Sequence, residues 1–265
     1  MIAQRNDFTY RLLMDAGIKK GLRVLDVGCG SGEVTFLAAE IVGSTGEVIG
    51  FDSNETAIAA ARDTAAKNQF TNTKFIIAEI DKLPQDLGRF DAIVGRRVLM
   101  YQPDAVFSIK SLLPYLKTKG LVVFQESDSM GSFKDVDLMP LHTQVQTWIW
   151  NTVAKEGGNI HMGMNLYSVF KQAGLTISQI RSEAVLQTLE TGSDLAWVVQ
   201  MMLPRIIKLG VVNQKEIEID TLEERLNSER QYANTVFVRD MAFGRLFIND
   251  KLYTGCRQQN RQNPR

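Results

Sequence analysis

The chain has 265 residues, 45% of them hydrophobic, enough for the packed core of one large domain. Thirty basic residues balance thirty acidic ones, and a net charge of zero argues against nucleic acid or an anionic membrane surface as the main partner. Cys29 and Cys256 stand far apart, which leaves no disulfide framework and no clustered zinc spacing, so no metal is expected.

In chain order, residues 1–21 read as an N-terminal helix; Arg5, Asp7 and Arg11 interrupt it, so it resembles neither a signal peptide nor an anchor. No run of about 18 apolar residues occurs anywhere, and a cytoplasmic protein without a spanning helix is expected. Residues 22–28 form a β-branched apolar run ending at glycine, residues 33–42 have helical spacing, and residues 46–52 read as a second strand. An alanine-rich helix over 54–68 follows, with Asn54 as its N-cap. Strands over 73–79 and 89–96, a helix over 103–117 with Pro103 in its first turn, and a strand over 120–126 complete a βα alternation. That alternation implies a parallel sheet, and Asp26, Asp52, Glu79, Gly95 and Glu126 near the strand ends should converge on the ligand rim.

After Glu126 the rhythm changes. Helical patterns cover 135–158, 162–175, 193–210 and 213–231, alternating strand patterns cover 176–189 and 234–247, and residues 248–265 form a polar tail. The chain is read as one domain: core 22–126, then substrate-side helices and last strands over 127–247, with the helices within 127–160 and 190–231 forming a lid or substrate wall. Met130, Met139, Trp148, Met162, Met164, Met201 and Met202 on these segments suit either an apolar or aromatic small molecule or ordinary core packing. Trp197 likewise reads as core or as a pocket wall.

The stretch "VLDVGCGSGEV" holds three glycines at alternate positions between a strand and a helix. A dinucleotide fingerprint, G-x-G-x-x-G, fits Gly28 and Gly30 but finds Glu33 at its third glycine, where a carboxylate repels pyrophosphate. A P-loop needs a lysine after the last glycine, and Gly32 has none. What remains is Asp26-x-Gly28-x-Gly30-x-Gly32 with Asp52 ending the next strand. Asp52 suits the paired hydroxyls of a ribose, and Asp26 suits an ammonium group or the loop's own donors. The ligand so described is a nucleoside with a cationic or zwitterionic arm and no phosphate chain.

These motifs resemble the class I S-adenosylmethionine-dependent methyltransferases of the small-molecule type, which includes the ubiquinone/menaquinone C-methyltransferases. The resemblance runs from about residue 20 to 126 through "VLDVGCGSG", "VIGFDSN", "AEIDKLP", "FDAIVGRRVLMYQPD" and "LKTKGLVVFQESD". It implies a Rossmann-like, seven-stranded, mostly parallel sheet with the last strand antiparallel and helices on both faces. It also implies S-adenosyl-L-methionine as cofactor, bound by Asp26, Gly28, Gly30, Gly32, Asp52, Ser53, Glu79, Ile80, Gly95, Arg96 and Tyr101. Tyr10, ahead of the first strand, reads either as simple helix packing or as part of an N-terminal helix folded over the cofactor. Glu79 replaces the family's adenine-binding aspartate, Ile80 its alanine, Gly95 a common serine or asparagine, and Tyr101 a common histidine.

Methyl transfer from a sulfonium is an in-line displacement in which positioning contributes most and a base is optional. Glu126, followed by Asp128, is read either as that base or as a carboxylate orienting nearby loops. His142 and His161, the two histidines, lie in the pocket-covering segment and read first as surface or packing residues and second as catalysts, His142 being the one carried as catalytic. The expected function is methyl transfer to a small molecule, with no nucleic acid or membrane partner and no oligomeric state specified. The competing expectation is a cofactor-binding protein of the same fold that does not transfer methyl groups.

Overall fold

The computed structural model describes residues 2–129, 139–187, 190, 192–233 and 237–247. Helix α1 (Ile2–Ala16) is stopped by Gly17, whose φ of 96° lies in the left-handed region. Then come β1 (Arg23–Val27), α2 (Glu33–Val42), β2 (Glu47–Asp52), α3 (Glu55–Lys67), β3 (Thr73–Ile77), β4 (Phe90–Arg96), α4 (Ala105–Leu112) and β5 (Leu116–Ser127). The second half adds α5 (Pro140–Lys155), α6 (Met162–Gln172), β6 (Thr176–Gln187), α7 (Leu195–Lys208), α8 (Gln214–Ile217), α9 (Ile219–Ala233) and β7 (Phe237–Phe247).

Among the described residues the strands form one seven-stranded sheet in the order β3-β2-β1-β4-β5-β7-β6. β1 to β5 are parallel, and β7 runs antiparallel to both β5 and β6. Alternation along the strands explains the helices on both faces. Leu25, Val27, Ile49, Phe51, Ile93, Val122 and Phe124 point into one core, whereas Val24, Val48, Ala92, Val94, Leu121 and Val123 point into another. The second core is closed by Phe8, Leu12 and Leu13 of α1 and by Val34 and Ala38 of α2. The first is closed by Ile109 and Leu112 of α4 and Leu166 and Phe170 of α6, and extends to Val145, Val199 and Leu222 of the packed helices α5, α7 and α9.

β1 lies between β2 and β4, so successive crossovers diverge from its carboxyl end. Such a divergence opens a crevice above the sheet, and it stands directly over the glycine loop.

Several expected boundaries are corrected by local chemistry. Pro103 precedes the helix instead of entering it: Asp104 caps α4 by accepting from the Phe107 N–H at 2.9 Å, and the α-helix yields to a 3-10 turn over Leu113–Tyr115. β3 ends at Ile77, which leaves Glu79 in a loop. The helix expected over 213–231 breaks at Glu218, whose φ of 46° separates α8 from α9. Asn54 caps α3 as expected, accepting from Ala57 N–H at 3.1 Å. Met130, the first residues of the helix expected from 135, the first residues of the strand expected from 234, and the polar tail with Cys256 lie outside the described residues. Among the described residues no helix is long and apolar enough to cross a membrane.

Candidate cofactor site

The turn from β1 into α2 passes through Gly28, Gly30 and Gly32 with φ of 59°, 53° and 91°. Left-handed backbone at three alternate positions explains why glycine recurs there. Gly28 has a second reason, since a Cβ on it would come within 2.7 Å of the Val98 side chain. At Gly30 a Cβ would meet nothing within 4 Å, so the backbone there is open to a ligand. Asp52, at the end of β2, fixes this loop: its Oδ2 accepts from Gly30 N–H and its Oδ1 from Asn54 N–H, each at 2.9 Å. Each oxygen retains acceptor capacity for a further donor.

Asp26 is buried beneath the loop. Its Oδ2 accepts from the Thr35 hydroxyl of α2 at 2.6 Å, while Oδ1 is buried without a hydrogen-bond partner. Burial pushes its pKa from 3.8 up to about 7, against the lowering effects of the Thr35 hydrogen bond and of Arg96. A buried orphan acceptor beside an open glycine backbone invites a cationic donor. Cys29, also buried, has its thiol pKa pushed far upward by burial and by Asp26 and Asp52, so it is no nucleophile.

Two cavities flank the loop. One, about 390 Å³, is lined by Gly28, Ser53, Glu79, Ile80, Val98 and Phe107 among others. The second, about 290 Å³, joins Asp26, Gly28 and Gly30 to Arg96, Arg97 and Tyr101 of the β4 end and to Trp197, Met201, Met202 and Arg205 of α7. Asp52 stands between them, bonded to Gly30 of the second and flanked by Phe51 and Ser53 of the first. The Glu33 carboxylate, which occupies the third-glycine position of a dinucleotide loop, pairs with Arg96, and Arg96 Nη1 donates to the Thr9 hydroxyl of α1 at 3.1 Å. Thr9 in turn donates to Gln125 Oε1 at 2.9 Å, tying α1, α2, β4 and β5 together under the second cavity.

The polar groups at the loop suit S-adenosylmethionine: Asp52 has acceptor capacity for hydroxyls, and a buried Asp26 oxygen has no hydrogen-bond partner. Residues 18–174 match the profile of a family described as a methyltransferase domain.

The chain belongs to that methyltransferase family.

Its membership of the class I S-adenosylmethionine-dependent methyltransferases agrees with the sequence resemblance. The demethylmenaquinone methyltransferase of Staphylococcus aureus (strain MRSA252) is 33% identical over 124 residues, 47% of this chain and 51% of that protein. The chain thus spans about half the length of that curated relative. In fold it is similar to a putative methyltransferase from Bacillus halodurans, with a TM-score of 0.59 and 16% identity over 90% of this chain and 97% of the other. It is also similar to a phosphoethanolamine N-methyltransferase of Haemonchus contortus crystallised with S-adenosylhomocysteine, with a TM-score of 0.61 and 17% identity over 92% of this chain and 53% of the other. A (4+2)-cyclase, SpnF, shares the fold with a TM-score of 0.56 and 17% identity over 92% of this chain and 80% of the other.

Of the residues expected around the cofactor, the structure brings Asp26, Gly28, Gly30, Asp52, Ser53, Glu79, Ile80, Arg96 and Tyr101 to the two cavities and the loop between them. Gly32 belongs to that loop but lines neither cavity, and neither does Gly95. A Cβ on Gly32 would meet the Phe36 ring at 2.8 Å, and one on Gly95 would meet the Phe124 ring at 2.5 Å, so ring packing adds to the backbone requirement at Gly32 and accounts for glycine at Gly95. Gly95→Ala is expected to cost about 1–3 kcal/mol by overpacking, measured by chemical denaturation; an unchanged midpoint contradicts this account. Tyr10 lies exposed on α1 and lines neither cavity.

For the two candidate bases the surroundings match the alternatives to catalysis, loop orientation for Glu126 and packing for His142. Glu126 is fully buried and lines neither cavity; its Oε1 accepts from the N–H groups of Val98 at 3.0 Å and Leu99 at 2.8 Å. That geometry orients the loop after β4, and burial raises the carboxyl pKa from 4.5 to about 7. His142 is fully buried between α5 and α9, with Nδ1 2.6 Å from Glu229 Oε2 and Nε2 3.0 Å from Arg230 Nη1. Burial, the largest influence, lowers its pKa, so it is a neutral imidazole donating from Nδ1 and accepting at Nε2. Trp148, Met139 and Met162 are core, whereas Trp197, Met201 and Met202 line the second cavity.

Sequence reasoning missed Thr35, Thr9, Arg205 and Phe107. Thr35 reads locally as an ordinary helix residue, and only the fold places it against Asp26.

Proposed function

We propose that the chain transfers a methyl group from S-adenosylmethionine to a small-molecule acceptor, the cofactor lying across the glycine loop with one end in each cavity. The observation that carries this reading is Asp26: a buried carboxylate with one oxygen held by Thr35 and the other unpartnered, beside the open backbone of Gly30. The cofactor supplies the electrophilic methyl group. Asp26 binds the ammonium group of its amino-acid arm, and Asp52 accepts from the ribose hydroxyls with its remaining lone pairs. Ile80, Val98 and Phe107 enclose the adenine in the larger cavity, with Glu79 at its edge.

The acceptor occupies the smaller cavity, where Trp197, Val198, Met201 and Met202 of α7 supply an apolar wall suited to an aromatic or apolar molecule. α7 is thereby a cap over the reacting groups, excluding water from them. Glu126 acts through the backbone of Val98 and Leu99, positioning the loop that carries Tyr101, and no proton transfer is assigned to it.

Asp52→Ala is expected to weaken binding of S-adenosylmethionine by about 1–3 kcal/mol through lost charge-assisted hydrogen bonds. Unchanged affinity by calorimetry would remove the ribose assignment. Methyl transfer itself is tested with an isotopically labelled methyl donor and a panel of small aromatic and enolic acceptors. Label in any acceptor supports the reading, and binding without transfer across the panel favours a non-methylating use of the cofactor.

A further inference from the structure

Resting on that reading, the smaller cavity also indicates what kind of acceptor it holds. Arg205 of α7 is clamped by Glu156, just beyond α5: its Nε donates to Glu156 Oε1 at 2.7 Å and its Nη2 pairs with Oε2. So fixed, the guanidinium lies over the Tyr101 ring, 5.7 Å from the centroid, and Nη2 approaches the Tyr101 hydroxyl oxygen at 3.4 Å. A hydroxyl that accepts on one side presents its own proton on another. Tyr101 is partly exposed and lines the cavity together with Arg205, Arg96 and Arg97. The described lining includes three guanidinium groups and no histidine or lysine. Its two carboxylates are engaged otherwise, Glu33 with Arg96 and Asp26 with Thr35 and, in the proposed function, the cofactor's ammonium.

We propose that Tyr101 and Arg205 form an oxyanion anchor for the acceptor, so that the cavity takes a ring bearing an acidic hydroxyl, phenolic or enolic, and binds it as the anion. The Tyr101 O–H donates to the acceptor oxygen, and the guanidinium braces Tyr101 and stabilises the negative charge. An acceptor bound as its anion needs no base in the cavity. Its lone pair forms the bond to the methyl carbon as the sulfur–carbon bond breaks and its electron pair goes to sulfur. The anion and the sulfonium cancel, leaving a neutral methylated product and a thioether with no proton to move.

The probe is 4-nitrophenol, whose phenolate absorbs visible light, titrated against the whole protein saturated with S-adenosylhomocysteine. The bound phenol is expected to ionise about one pH unit below the free phenol, and Tyr101→Phe and Arg205→Lys are each expected to abolish most of that shift. Arg205→Lys keeps a cation for Glu156, and Tyr101→Phe keeps the ring, so both preserve the packing. Absence of probe binding, an unshifted ionisation in the wild type, or a full shift retained in Tyr101→Phe overturns the anchor. Calorimetry with S-adenosylhomocysteine on the same proteins separates the two readings: intact cofactor binding with no shift overturns the anchor alone, whereas a wild type that does not bind S-adenosylhomocysteine overturns the proposed function.

Discussion

Asp26→Asn is expected to weaken S-adenosylmethionine binding by about 2–5 kcal/mol, the range for truncating one partner of a buried, hydrogen-bonded charge pair. The side chains are nearly isosteric, and the asparagine oxygen can still accept from the Thr35 hydroxyl, which now donates to Asp26 at 2.6 Å. What is lost is the charge facing the ammonium. The same substitution is expected to leave the cofactor-free protein as stable or more stable at neutral pH, because it relieves the burial of a carboxylate. The sign follows from the pKa, raised from 3.8 to about 7. Between those values the folded state holds more protons than the unfolded one, so Asp26 favours folding fully below 3.8 and loses that contribution as pH rises through about 7. Cofactor affinity runs the opposite way: it rises toward pH 7 as Asp26 ionises. Calorimetry over that window, paired with thermal melts of the cofactor-free protein, checks both slopes, and Asp26→Asn should flatten both. An undiminished affinity in Asp26→Asn contradicts the assignment.

Glu126→Ala is expected to cost about 2–4 kcal/mol of stability, because it strands two buried backbone donors, each worth roughly 1–3 kcal/mol when left unsatisfied. Those donors are the Val98 and Leu99 N–H groups. The damage should extend to the cofactor, since Val98 packs against Gly28 and lines the larger cavity. Glu126→Gln keeps an acceptor at that position and should recover most of the loss. It should also remove a pH slope: with its pKa raised from 4.5 to about 7, Glu126 favours folding below 4.5 and progressively less as pH rises through about 7. Chemical denaturation of the three proteins at the two ends of that window is the check. Equal stability of Glu126→Ala and the wild type contradicts the positioning role, and full retention of transfer in Glu126→Gln would exclude a base.

What could be read from the sequence follows from where the information is local. β1, β2, β4 and β5 are short apolar runs bounded by polar or turn residues, and Asp26, Asp52 and Arg96 sit on or at the ends of adjacent parallel strands, so their spacing already implies a common rim. The glycine loop is legible because its left-handed backbone admits few other residues. At Gly95 the absence of a side chain serves Phe124, and a ring from the neighbouring strand leaves no local trace in the sequence. For a related reason the sequence leaves His142 open between packing and catalysis. Its partners Glu229 and Arg230 lie on α9, more than eighty positions along the chain, and a polar residue on an otherwise apolar helix face looks the same whether it faces a pocket or a buried partner. Arg205 escaped notice because its role depends on Glu156 and Tyr101, which come from different elements and meet only when α7 packs across α5 and the β4 end.

The most direct test of the central claim is parallel calorimetric titration of the wild-type protein with S-adenosylhomocysteine, a nicotinamide dinucleotide and adenosine triphosphate. The loop geometry predicts one-to-one binding of S-adenosylhomocysteine, with proton release below about pH 7 as its ammonium ionises Asp26, and no saturable binding of either phosphate-bearing nucleotide. Saturable binding of a phosphate-bearing nucleotide together with none of S-adenosylhomocysteine would contradict it.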